Sequence, residues 1–269
     1  MLELINKVKE INPLVLHYTN EVTINDCANI TLALGASPLM SYSNEEVEEV
    51  VSIASSVVIN IGTMNSNRLD LFVKAGKAAN KFNKPVILDP VGVFATKTRT
   101  DFTNKLLNKI KFDVVKGNVA EIKFIGGLDV RGQGVDSFDD GEDISEVIKK
   151  VAKKLGCIVV ATGKVDFISD GNTVIKIFNG TSKLKSVTGT GCMTGSLIGS
   201  YLGAYNNLES RERDNFKKVE VVAMGVLTMA VSGELADKDN IAIGTFKEEL
   251  MNNVYEMNID KLKEYGRIE

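Results

Sequence analysis

Four short runs of β-branched and aliphatic residues, each stopping abruptly at polar ones, constrain this chain more than any other feature. They are Val57-Val58-Ile59-Asn60-Ile61-Gly62, Val86-Ile87-Leu88 before Asp89-Pro90, Asp113-Val114-Val115-Lys116-Gly117 and Cys157-Ile158-Val159-Val160-Ala161. Strands this apolar have no face to offer water, so they read as members of a parallel sheet covered on both sides. Helical spacing fills the gaps. Asn67 to Asn83 carries Leu69, Phe72, Val73, Gly76 and Ala79 on one side. A weaker helix runs from Thr100 to Ile110, and a short one follows Asn118. Gly126 to Gly141 is rich in Gly and Asp and reads as a loop. Ile144, Val147, Ile148, Val151, Ala152 and Leu155 then give the clearest amphipathic helix. Val165 to Ser169, Asp170-Gly171 and Thr173 to Phe178 predict a hairpin with a type I′ turn. From Gly191 onward the pattern is mainly helical.

A length of 269 residues admits two domains at about 150 residues each. No linker, repeat or low-complexity tract divides the chain, however. The expectation is one α/β domain over residues 1–269, a mostly parallel central sheet with helices on both faces. Lys and Arg number 32 against 35 Asp and Glu, a net charge of −3, so no broad field awaits nucleic acid or a membrane surface. Cys27, Cys157 and Cys192 stand too far apart for a metal knuckle or a redox pair and read as reduced thiols. The N-terminus lacks a basic stretch followed by a long apolar one. The most apolar segment, Val221 to Val231, is shorter than the ~20 residues that span a bilayer, and with Glu220 and Glu234 beside it suits a buried helix. A cytoplasmic protein without nucleic-acid or membrane partners is expected.

In an open α/β sheet, ligands bind beyond the carboxyl ends of the strands. Here those ends carry Gly62-Thr63, Asp89, Lys116-Gly117-Asn118 and Thr162-Gly163, a set suited to a charged ligand. The most informative segment is Val187-Thr188-Gly189-Thr190-Gly191-Cys192-Met193-Thr194-Gly195, which leads into an apolar helical run. Its glycines let backbone N–H groups turn inward, and the helix behind them offers its positive end to an anion such as a phosphate. Neither the Walker pattern nor a dinucleotide GxGxxG is present.

Six segments, in order, carry a resemblance: Asn20 to Asn29, Gly35-Ala36-Ser37-Pro38-Leu39-Met40, Asp89-Pro90-Val91-Gly92, Lys116 to Glu121, Ala161 to Asp166, and Val187 to Cys192. Together the chain resembles the hydroxyethylthiazole kinase family, within the ribokinase-like superfamily. That resemblance implies ATP- and Mg²⁺-dependent phosphorylation of the primary alcohol of 4-methyl-5-(2-hydroxyethyl)thiazole in thiamine salvage. It also implies a homotrimer with sites at subunit boundaries.

By the same resemblance, the N–H groups of Gly189, Thr190, Gly191 and Cys192 form an anion hole. Cys192 faces the reacting hydroxyl, where most ribokinase-like enzymes carry Asp. A thiol at a helix N-terminus is expected to have a lowered pKa. Lys116, where the family more often has Arg, and Thr162 are assigned to the ATP phosphates. Asn118 and Glu121 fit the family's NxxE support for Mg²⁺, although the same spacing is a helix capping box. Asp89 is a second anionic support. Gly189, Asn25 and Met40 are carried over as thiazole contacts. Phe94 stands where the family has Gly, so its loop is expected to differ in shape, and Arg99 is a candidate for approaching phosphate. His17, the lone histidine, reads as a packed ring. Two other functions stay open: a kinase for hydroxymethylpyrimidine, for which Asp would be usual at position 192, and a nucleotide-binding sensor without turnover.

Overall fold

A computed structural model describes residues 1–128, 143–238 and 241–269. Most of the run read as a loop from Gly126 to Gly141 lies outside them. The first elements are α1 (Leu4–Ile11), β1 (Leu14–Tyr18), α2 (Ile24–Leu34), β2 (Ser37–Met40), α3 (Val47–Ile53) and β3 (Ser56–Asn60). Next come α4 (Leu69–Lys81), β4 (Val86–Asp89), α5 (Lys97–Lys109), β5 (Val114–Asn118), α6 (Val119–Gly126), α7 (Ile144–Leu155) and β6 (Ile158–Thr162). The chain continues with β7 (Asp166–Ser169), β8 (Val174–Ile177), α8 (Thr190–Asn207), α9 (Ser210–Arg213), α10 (Lys218–Ala236), α11 (Ile243–Tyr255) and α12 (Ile259–Tyr265).

All eight strands form one sheet in the order β2-β1-β3-β4-β5-β6-β7-β8. The first six are parallel, and β7 and β8 are added antiparallel at one edge. This is the mostly parallel, doubly covered sheet expected. Alternate residues point to opposite faces. Val15, Val58, Ile87, Val114 and Val160 pack beneath α1, α2, α8, α10, α11 and α12. Leu16, Val57, Ile59, Leu88, Val115 and Val159 pack against α3 to α7. The unit β1-α2-β2 carried no strand signal in the sequence. Its β1 is short and includes His17 and Tyr18, and β2 holds Pro38, which a sheet tolerates at its edge because Pro has no N–H to donate.

The hairpin forms, but not with the expected turn. Four residues, Asp170 to Thr173, separate the strands. Only Gly171 among them has positive φ, at 93°, whereas type I′ needs it at both central positions. Asp170 Oδ1 instead accepts from the N–H groups of Asn172 and Thr173 at 2.8 and 2.7 Å, closing the turn locally.

Two buried helices set the position of the site. α10, with 19 residues, is the one helix among the described residues long and apolar enough to cross a membrane, but 89% of its apolar window is buried inside the fold. It presses on α8 so closely that a Cβ added to Gly225 would lie 2.7 Å from the Ile198 amide nitrogen. α8 in turn lies on β1 and β3 through Gly195, Gly199 and Gly203, spaced four apart along one face. A Cβ at Gly199 would come within 2.9 Å of Val58 Cγ2 and 3.0 Å of Val15 Cγ1. Ser56 Oγ donates to the Gly199 carbonyl at 2.7 Å, and the His17 ring meets Ser196 Oγ at 3.0 Å. Burial pushes the His17 pKa down to about 4, so the ring is a neutral packing group.

Gly199→Val forces a stiff branched side chain into this contact and is expected to lower stability by about 1–3 kcal/mol, the range for overpacked cores. Gly244→Ala, in a helical position with nothing within 4 Å of the new Cβ, is the control and should leave stability unchanged or slightly raised. Urea denaturation midpoints compare the two.

Candidate active site

Asn60, Asp89 and Lys116 sit at or near the ends of β3, β4 and β5, on the same sheet face as Val58, Ile87 and Val114. That face is the one α8 covers, so the three polar side chains meet beneath its N-terminus. Asn60 Nδ2 donates to Asp89 Oδ2 at 2.9 Å, and Lys116 Nζ lies 3.5 Å from the same oxygen. Asn20, just beyond β1, extends the chain by donating its Nδ2 to Asn60 Oδ1 at 2.9 Å. Cys192 Sγ accepts from both amides, at 3.3 Å from Asn20 and 3.2 Å from Asn60.

The helix end above this chain is open. Gly189 caps α8 with φ 94°, a left-handed conformation that favours Gly. A Cβ there would also strike Thr23 Cγ2 at 2.6 Å, so this turn packs against the start of α2. The N–H groups of Thr190, Gly191 and Cys192 find no backbone acceptor among the described residues, as expected for a first helical turn. The Thr190 hydroxyl faces away and donates to the Leu184 carbonyl at 2.8 Å. Gly191 lets Lys116 reach the helix end, since a Cβ at Gly191 would be 3.1 Å from Nζ. Lys116, 4% exposed, is therefore not a solvated strand-end lysine.

Charge in the cluster is unbalanced. Burial pushes the Asp89 carboxyl up, opposed by Lys116 and Asn60. Burial also raises Glu121, and Asp89 adds to the rise. For Lys116, burial works against the charge, but Asp89, Cys192 and Glu121 together outweigh it and hold the ammonium protonated. The Cys192 thiol is pushed up by burial and by Asp89, against Lys116 and hydrogen bonds from its neighbours. The lowered pKa expected for a thiol at a helix N-terminus is thus not found, because removing the sulfur from water outweighs the helix end.

Glu121 and Asn118 form the capping box of α6. Asn118 Oδ1 accepts from Glu121 N, and Glu121 Oε2 accepts from Asn118 N, both at 2.8 Å. Glu121 Oε1 accepts from Gly92 N at 2.8 Å. Among the described residues no group of three or more His, Cys, Asp or Glu could cage a metal ion. Mg²⁺ does not need such a cage, since it keeps several waters and takes one or two carboxylates beside the substrate phosphates. The donors present fit that manner of binding. Asp89 Oδ1 takes no bond from a described residue, and two buried carboxylates face a single ammonium.

Other expected residues lie around this centre. Thr162 pairs in register with Asn118 and donates its hydroxyl to the Gly117 carbonyl at 3.3 Å. Met40 ends the half-buried edge strand β2, opposite His17. Asn25 is exposed in the first turn of α2, its Oδ1 accepting from Asn29 at 2.8 Å, with no bond to the cluster. Arg99 is not available to phosphate, because its guanidinium donates to the carbonyls of Ile61, Val91 and Gly62 at 2.8–3.0 Å and clamps two strand-end loops together. Phe94 does not strain its loop. Gly92 takes the positive φ, at 66°, and the Phe94 ring packs 6.1 Å from that of Phe124. Asn20 and Asn60 were not expected at the site, and neither was Asp166. Asp166 Oδ1 accepts from Gly163 N at 2.9 Å and holds the turn after Thr162.

A parallel sheet with an open helix N-terminus, an ammonium and buried carboxylates at its strand ends is the framework of a ribokinase-like phosphotransferase. The pyridoxal kinase of Staphylococcus aureus, solved with AMP-PCP and pyridoxal, has this fold at a TM-score of 0.62, covering 96% of this chain and 98% of that one; at 14% identity the likeness concerns the fold alone. The hydroxyethylthiazole kinase family matches residues 5–260. The hydroxyethylthiazole kinase of Clostridioides difficile (strain 630) is 64% identical over 269 residues, 100% of this chain and 99% of the relative. The solved hydroxyethylthiazole kinase protein of Pyrococcus horikoshii OT3 shares 33% identity at a TM-score of 0.85, covering 100% of this chain and 97% of its own. The chain belongs to the hydroxyethylthiazole kinase family.

Burial pushes the Asp166 pKa up to about 7 from 3.8, against the Gly163 N–H and Lys116. Between those values the folded protein holds a proton that the unfolded chain has released, so stability falls as pH rises through that window. Asp166→Asn cannot ionise. Its melting temperature should therefore gain on the wild type from about pH 5 to about pH 8. A constant difference across that range would show that Asp166 does not titrate there.

Proposed function

We propose that this chain transfers the γ-phosphoryl group of ATP to the hydroxyl of 4-methyl-5-(2-hydroxyethyl)thiazole, a salvage step in thiamine biosynthesis. The observation that carries the reading is the convergence of Lys116, Asp89 and Cys192 beneath the free N–H groups of α8, in a chain that matches the family over residues 5–260.

Transfer to an alcohol through a loose transition state requires alignment and charge neutralisation more than covalent help. The bond from the alcohol oxygen to the γ-phosphorus forms as the bond from that phosphorus to the β,γ-bridging oxygen breaks. Charge then rests on the equatorial and leaving oxygens. The N–H groups of Thr190, Gly191 and Cys192 and the ammonium of Lys116 are oriented before the reaction to receive it. Thr162 and Asn118 stand on neighbouring strand ends toward the remaining phosphates. Asp89 and Glu121 would hold Mg²⁺, Glu121 through water because both its oxygens already cap backbone N–H groups. When bound, Mg²⁺ neutralises charge on the phosphate oxygens. Cys192 begins as a neutral thiol and orients the hydroxyl, which loses its proton late. Gly189, Asn25 and Met40 form the thiazole side of the pocket.

Met40 on an edge strand and Asn25 on an exposed turn leave that side open, which supports completion by a second copy in a homotrimer. A fully active monomer in sedimentation would overturn the shared site. Residues 1–269 act as one catalytic domain built on one sheet. Three free thiols suit the cytoplasm.

ATP consumption with Mg²⁺ and each alcohol in turn tests the activity. Thiazole-dependent turnover is expected, with Cys192→Ala slowed about 10–100-fold, as for loss of one aligned group. Wild-type rates in both Cys192→Ala and Cys192→Asp would remove Cys192 from the reaction. Faster turnover on hydroxymethylpyrimidine would reassign the substrate, and ATP binding without turnover on either alcohol would indicate a sensor.

A further inference from the structure

Asn60 is 2% exposed and has every polar function engaged. Which end of its amide is oxygen is fixed by the neighbours. Gly62 N donates to Oδ1 at 2.8 Å, and Asn20 Nδ2 donates to it at 2.9 Å. Asn20 is itself oriented, since its Oδ1 accepts from the N–H groups of Val22 and Thr23 at 3.1 Å each. The two hydrogens of Asn60 Nδ2 are left for Asp89 Oδ2 at 2.9 Å and Cys192 Sγ at 3.2 Å.

We propose that Asn60 is a positioning residue: its planar amide sets the Cys192 thiol and the Asp89 carboxylate at a fixed angle and distance from each other. It acts on phosphoryl transfer through those two groups and touches neither substrate. This rests on the roles given above to Cys192 and Asp89. An amide NH₂ presents two donors in one plane, and here that plane is held by β3, whose Asn60 pairs in register with Asp89. No other side chain of this size does the same. Asp lacks both donors and would set a second carboxylate beside Asp89, and Leu offers no polar atom at all. Without Asn60, Sγ keeps only the longer bond from Asn20, and Asp89 Oδ2 keeps only Lys116 at 3.5 Å. The thiol is then free to turn. Asp89 and Lys116 are free to close on each other, which draws the ammonium away from the helix end. The alcohol and the phosphate still bind but are no longer aligned.

The experiment compares Asn60→Ser, Asn60→Asp, Cys192→Ala and the double variant Asn60→Ser/Cys192→Ala, with thermal melts to show which are folded. The expected result is a kcat lower by about 10–100-fold for the folded Asn60 variant, the usual cost of losing a group that orients catalytic ligands, with the thiazole KM changed by less than about threefold. In the Cys192→Ala background Asn60→Ser should cost less, because the two residues act as a unit. A readout independent of turnover is the S–H stretching band of ligand-free protein, assigned to Cys192 by its loss in Cys192→Ala. It should shift in the Asn60 variant, which a purely structural role would not cause. A wild-type kcat, additive losses or an unshifted band would overturn the proposal. If neither Asn60 variant folds, the same band in Asn20→Ala decides, since that variant removes a bond that holds Asn60 Oδ1. Cys192→Ala at the wild-type rate would bring down the role of Cys192 and this proposal together. Cys192→Ala slowed beside a fast Asn60→Ser would bring down only the proposal.

Discussion

The close approach of α8 to the sheet decides where everything else in the site can be. Gly199 and Gly203 leave no room for a Cβ between the helix and Val15, Val58, Pro13 and Ser55, so the helix axis lies nearer β1 and β3 than ordinary side chains allow. The N-terminus of α8 then sits at the level of the strand ends. From there its first N–H groups, Lys116 Nζ and Cys192 Sγ share one space. A helix raised by the width of a methyl group would separate the positive helix end from the ammonium that rises to meet it. α10 holds the arrangement from the outside through Gly225 against Ile198.

Within that space charge is left incomplete. Asp89 and Glu121 are both pushed toward neutrality by burial, and Lys116 alone offsets them. A buried carboxylate is stable only when paired, so the cluster is suited to gaining a cation together with the phosphates it accompanies. The same setting raises the Cys192 thiol. The helix end favours a thiolate, but desolvation and Asp89 oppose it and prevail. Residue type and position in a helix are therefore insufficient to set a thiol's charge, and its depth relative to nearby carboxylates matters as much.

Much of this was legible from local pattern. The apolar runs at residues 57–62, 86–88, 113–117 and 157–161 became β3 to β6, and the polar residues that end them line the site. The GTGC turn stood out because glycine before an apolar helix has a local physical meaning. What stayed hidden depends on residues far apart in sequence. Asn60 looked like the tail of an apolar strand, yet its partners stand 40, 29 and 132 positions away. Arg99 read as a phosphate ligand because a cation beside a loop suggests one, and only the fold shows three carbonyls claiming it. β1 and β2 were too short and too polar to register. The glycines at 195, 199 and 203 were visible at helical spacing, but the surface they press against was not.

A crystal structure with Mg²⁺, a non-hydrolysable ATP analogue and the thiazole alcohol examines the centre of this picture most directly. The terminal phosphate should lie within hydrogen-bond distance of the N–H groups of Thr190 to Cys192 and of Lys116 Nζ, with the alcohol oxygen beside Cys192 Sγ. A terminal phosphate bound away from the α8 N-terminus, with Lys116 still resting on Asp89, would contradict it.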